Sequence, residues 1–124
     1  MAVLDIAQLE TMTGGDAALA VEALGIFRGQ IELWGRLLDP FSDPDHWADA
    51  AHAIKGAARS VGLMSLGDAC EAAEKLGRSG AATPVAAGVA ISLVKDRLGE
   101  AIEAIASIEH QLTMRRTFRG VRLD

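Results

Sequence analysis

Apolar residues recur at helical intervals along nearly the whole chain. Ile6, Leu9 and Met12 share one side of a short first helix over Asp5 to Met12. Thr13-Gly14-Gly15-Asp16 then breaks it and supplies a cap for the next. The second helix runs from about Ala17 to Leu38, where Leu24, Phe27, Ile31, Trp34 and Leu38 alternate three and four apart as a bundle seam does. Its opposite side carries Leu19, Ile26, Leu33 and Leu37, so this helix asks to be covered twice. The short first helix is the expected cover, and a docking or dimer surface is the alternative. Asp43-Pro44 opens the third helix as a cap followed by an N1 proline. Trp47, Ala50, Ile54, Ala57 and Val61 form its core-facing stripe, and Gly62 ends it. Ser65-Leu66-Gly67-Asp68 reads as a capping-box-like start to the fourth helix, whose buried stripe is Leu66, Ala69, Cys70, Ala73 and Leu76. Thr83-Pro84 opens the fifth, which keeps its seam through Ile91, Val94, Leu98, Ala101, Ile105, Ile108 and Leu112. Short connections between four long helices predict an all-α, up-down antiparallel four-helix bundle with a short additional N-terminal helix. Residues 1–112 make the bundle domain and 113–124 a basic C-terminal tail.

Composition narrows the class. The chain has 124 residues, half of them apolar, with no tyrosine and three prolines, a balance that favours helices over sheets. The formal charge is −5, which argues against nucleic acid as a general partner. That charge is unevenly spread: residues 1–113 carry −8, while Arg115, Arg116, Arg119 and Arg122 against Asp124 give the end of the chain +3. The single cysteine, Cys70, excludes an internal disulfide and fits a reducing compartment. No basic leader with an apolar run opens the chain, and no apolar stretch reaches membrane-spanning length. The expectation is a cytoplasmic protein without a membrane partner, and a monomer, since one complete bundle needs no second chain.

Catalytic motifs are missing: no phosphate-binding glycine loop, no CxxC pair, no nucleophile elbow. Cys70 lies on a buried stripe and reads as a packed thiol, and His46 and His110 as surface residues. His52 differs in its neighbours. Setting His52 at zero and turning about 100° per residue puts Lys55 near −60°, Gly56 near +40° and Arg59 near −20°. The four share a face turned away from the core stripe. A neutral imidazole is nucleophilic and can carry a phosphoryl group on a ring nitrogen. In mid-helix the backbone N–H groups are already bonded, so side-chain cations must receive the added charge. Lys55 is within reach; Arg59, two turns on, reaches it by bending back. Ala48 and Gly56, one turn either way, leave room for a partner. Asp45 and Asp49 oppose added negative charge, or else hold the cations and orient the ring.

Ala51-His52-Ala53-Ile54-Lys55-Gly56-Ala57-Ala58 resembles the signature of histidine-containing phosphotransfer (HPt) domains, H-x-(I/L)-K-G-x-(A/S). Ser60-Val61-Gly62-Leu63 continues the likeness, followed by Leu66, Cys70, Glu71 and Glu74, and weaker similarity extends over most of residues 4–110. The resemblance implies a two-component phosphorelay carrier. His52 would accept a phosphoryl group from a receiver-domain aspartate and pass it to another receiver. Lys55 would steady that group, and Gly56 would let the receiver's loops approach. Arg59 stands where the family usually places a small or uncharged polar residue, and is a possible phosphate or partner contact. The implied partners are receiver domains of response regulators or of a hybrid histidine kinase. No cofactor of its own is implied, Mg²⁺ coming with the receiver, and no nucleotide site, so the chain is expected to be a phosphocarrier rather than an enzyme. Two other readings compete: a helical adaptor that is not phosphorylated, and a metal-binding bundle using Asp49-x-x-His52. The outward face of those two residues counts against the metal site.

Overall fold

The computed structural model describes residues 3–123, and all its regular elements are helices: α1 (Ile6–Met12), α2 (Ala17–Gly35), α3 (Pro44–Ser60), α4 (Met64–Arg78) and α5 (Pro84–Arg115). The up-down bundle with a short leading helix is therefore what forms. Four helices start on a side-chain cap. Asp5, Asp16, Asp43 and Thr83 each accept an N–H of the first turn, and prolines occupy the first position of α3 and α5. Each cap satisfies a donor with no partner inside the helix.

The seams close on one core, in which Trp47, Leu24, Ile31, Ile54, Leu66, Ile91, Ile105 and Ile108 are almost wholly buried. Trp34 is only half-buried at the edge. α3 and α4 make the most intimate pair, because small residues line their contact. A Cβ on Gly77 would stand 2.8 Å from the Ala48 Cβ and 2.9 Å from the Trp47 ring. The turn between them holds Gly62 at φ +87, and Asp5 N–H donates to its carbonyl at 2.8 Å, tying α1 to this corner. α2 runs antiparallel to the second half of α5, with Gly35 against Leu98 and Arg28 paired to Glu109.

Three expectations need correcting. α4 does not begin on a Ser65–Asp68 capping box: Leu63 is the N-cap residue, with no side-chain cap bond. Leu63 N–H is tied to the Ala58 carbonyl at 2.9 Å and its side chain is fully buried, so the helix starts as soon as the turn allows and Ser65 falls inside it. α1 does not cover the far side of α2. Leu19, Ile26, Leu33 and Leu37 stay 47 to 59% exposed, because α1 is tied instead to the α3–α4 corner. Finally, Ala48 is fully buried against Gly77 and clears no space beside His52.

Residues 113–123 are folded onto the bundle. α5 continues to Arg115, Arg116 turns left-handed at φ 58, and the segment doubles back. Gln111 donates to the Arg122 carbonyl at 2.8 Å and accepts from its N–H at 3.0 Å, while Phe118 is 7% exposed.

Candidate functional site

α3 turns one face inward through Trp47, Ala50, Ile54 and Ala58 and leaves His52 outward, its side chain 64% exposed. Close α3–α4 packing then decides what stands beside it. The two helices fold back about Leu63, and His52 and Glu74 each lie eleven residues from that pivot. They meet: His52 Nδ1 is 2.8 Å from Glu74 Oε2. Lys55 Nζ donates to the other oxygen, Oε1, at 2.6 Å. One carboxylate thus bridges the imidazole and the ammonium at the foot of the exposed ring.

The electrostatics follow from that bridge. The hydrogen bond from Lys55 holds the Glu74 carboxyl below its ordinary value, against a smaller desolvation effect, so it is ionised at neutral pH. An ionised carboxylate only accepts, so Nδ1 carries the proton. In neutral imidazole this leaves Nε2 with its lone pair free, on the edge away from Glu74. Gly56, one turn on, is exposed, and a Cβ there would meet nothing within 4 Å. The space above this turn of α3 is open for a large molecule. Burial pushes the Cys70 thiol up to about 12, so it is no competing nucleophile.

The residues singled out by sequence divide into two sets. His52, Lys55 and Gly56 come together. Arg59 is drawn away: its guanidinium lies 3.2 Å from Asp68 and 3.4 Å from Glu71, and a hydrogen bond to Asp68 raises its pKa further. Gly67 makes room for it, since a Cβ there would be 2.8 Å from Arg59 Cγ. Asp45 and Asp49 are gathered by Arg78 instead of approaching His52 or a metal. Among the described residues no group of three or more His, Cys, Asp or Glu side chains converges as a metal site. Glu74 is the site residue that the motif alone does not reveal as His52's partner.

Residues 22–108 match the Hpt domain family. The chain belongs to that family. Among solved structures it is similar to histidine phosphotransferase ShpA from Caulobacter crescentus, at 35% identity and a TM-score of 0.73, covering 92% of this chain and 97% of that one. A search of curated proteins finds no match. This Hpt domain is a histidine phosphotransfer protein of a phosphorelay, and Hpt domains work with the receiver domains of such relays. No described helix is long and apolar enough to cross a membrane. Within the Hpt domain a groove borders the His52 face, lined by Trp34 of α2, by Leu37 just past its end, and by His46, Asp49 and Ala53 of α3. The exposed stripe of α2 continues past the helix end to Leu37 at this groove.

Proposed function

We propose that His52 is the phosphoacceptor, that Nε2 is the reacting atom, and that Glu74, Lys55 and Gly56 serve it. The observation that carries this is the Nδ1–Glu74 contact on a ring otherwise open to solvent. In the transfer, the Nε2 lone pair forms a bond to phosphorus while the bond from phosphorus to the receiver's carboxylate oxygen breaks, and that carboxylate leaves with the electron pair. The ring gains positive charge as this happens, and ionised Glu74 is already hydrogen-bonded to Nδ1–H to stabilise it. The reverse step passes the group to another receiver. Lys55 keeps Glu74 ionised and in place, and its ammonium, with three donors, can share them with phosphoryl oxygens on the same face. Gly56 supports approach of the receiver's loops because nothing fills the space over it. Arg59 in this reading borders the docking surface and touches the partner rather than the phosphate.

The Mg²⁺ and the acidic pocket that neutralise the transferring group are the receiver's. The Hpt domain itself is a carrier that does not use ATP directly, acts as a monomer and takes neither nucleic acid nor membrane as partner. Receivers of response regulators or of a hybrid kinase dock over His52, with Leu33 and Leu37 as the apolar contact. The groove joining Leu37 to Ala53 supports that placement by continuity. Phosphotransfer from a phosphorylated receiver tests the proposal. Wild type acquires acid-labile, base-stable phosphate, His52→Gln acquires none, and Leu33→Gln transfers more slowly with unchanged helicity. Normal labelling of His52→Gln would exclude His52 as the acceptor.

A further inference from the structure

The two ends of α2 serve different surroundings. Its Trp34 end borders the groove beside His52, and its Ala17 end lies about 26 Å away along the axis, against the last turn of α5. There the folded-back segment presents Arg115, Arg116 and Arg119, all exposed. Four arginines elsewhere are matched with carboxylates: Arg28 with Glu109, Arg59 with Asp68 and Glu71, Arg78 with Asp45 and Asp49, Arg97 with Glu100. Arg36, alone beyond the far end of α2, has no ion pair among the described residues. Arg115, Arg116 and Arg119 have no ion pair among the described residues.

Their positions are built rather than loose. Buried Phe118 and the paired Gln111–Arg122 hydrogen bonds fix the backbone that carries them. The Arg115 guanidinium lies over Gly120, where a Cβ would come within 2.8 Å of it. Beside Arg116, next in the chain to Arg115 and three residues before Arg119, runs a groove of about 550 Å³. It is lined by Ala17, Ala18, Val21 and Leu112, with Arg116 and Asp16 also at its wall. The Asp16 carboxylate caps α2 by accepting the Leu19 N–H, and is a single negative charge at this wall against three arginines.

We propose that Arg115, Arg116 and Arg119 with this groove form a docking site for an acidic peptide segment of a partner protein. That segment carries one large apolar side chain next to two or three carboxylates. Guanidinium forks match carboxylates in paired hydrogen bonds, and the apolar lining suits a leucine-sized anchor. Charge decides the class of partner. Residues 1–113 carry −8, so a duplex or an anionic bilayer lying across the patch would also face that negative surface, whereas a short peptide meets the arginines and one carboxylate, Asp16. The site is separate from His52 and does not depend on the phosphotransfer reading.

A fluorescein-labelled Glu-rich peptide containing one leucine, titrated with the full chain and followed by anisotropy, tests it. Wild type should bind. The R115Q/R116Q/R119Q variant should bind at least tenfold more weakly, and replacing the peptide's leucine with serine should also weaken binding. Phosphoryl acceptance and melting temperature, measured on the same samples, should match wild type. No binding to wild type, or equal binding to the triple variant, overturns the proposal. Tighter binding of phosphatidylserine vesicles or of duplex DNA than of the peptide overturns the choice of partner.

Discussion

At the scale of single residues, the chemistry turns on Glu74, which gives one oxygen to His52 and the other to Lys55. Glu74→Gln keeps an acceptor for Nδ1–H but removes the charge that stabilises the ring as it takes the phosphoryl group. Acceptance from a phosphorylated receiver should slow about tenfold, or about 1.4 kcal/mol in the barrier, with helicity unchanged. Glu74→Ala should also let the imidazole tautomers mix, which ¹⁵N shifts of the ring report. Wild-type rates in Glu74→Gln would remove Glu74 from the mechanism. Because Lys55 lowers the folded-state value of Glu74, the stability this pair adds is complete above the ordinary 4.5 and lost as pH falls through the lowered value. Acid melts of Glu74→Gln should lack that part of the decline. His52, Lys55 and Gly56 were legible in sequence because helical rotation alone puts them on one face. The role of Glu74 was not, since it requires the register of a second helix; counting equal distances from the α3–α4 turn was the signal available.

At the scale of elements, two helix glycines that look alike in sequence have opposite roles. Gly77 sits where α3 and α4 touch, and a methyl group there would meet Ala48, Trp47 and the Pro44 carbonyl at 2.8 to 3.0 Å. Gly77→Ala must push the pair apart and should cost about 1–3 kcal/mol. Gly56 faces open space, so Gly56→Ala should raise stability by up to about 1 kcal/mol through helix propensity alone, yet slow phosphotransfer by obstructing the receiver. Chemical denaturation read beside transfer kinetics checks both signs; a Gly56→Ala protein transferring at wild-type speed would deny it the clearance role. Helix spans and seams were readable because burial imposes the three-four spacing directly. Two things hid from that pattern. A residue such as Ala48, on the shoulder of the stripe, is assigned a face only by how closely its neighbour approaches. The start of α4 is set by Leu63 entering the core, which outweighs a Ser65 cap.

For the whole molecule, the question is what completes the bundle at the α5 end. The arginines after Leu112 mark a basic tail by composition, yet Phe118 among them belongs to the core cluster, with Val121 and Leu123 packed against it. Composition reports the charge of such a segment and says little about one aromatic residue that can anchor it. That anchor joins the charged surface to the stability of the domain, so the two should separate under mutation. Phe118→Ala should destabilise the protein by about 3 kcal/mol. For a chain of this length that is a fall of about 10 °C in melting temperature. Arg119→Ala, on the exposed side of the same turn, should leave the melting temperature within error of wild type. Receiver-dependent labelling of folded Phe118→Ala, assayed well below its melting temperature, should remain, because His52, Glu74 and Lys55 are held by the α3–α4 pair. An unchanged melting temperature in Phe118→Ala would show that the doubled-back segment contributes nothing to the fold in solution, and would remove the rigid support on which the arginine surface rests.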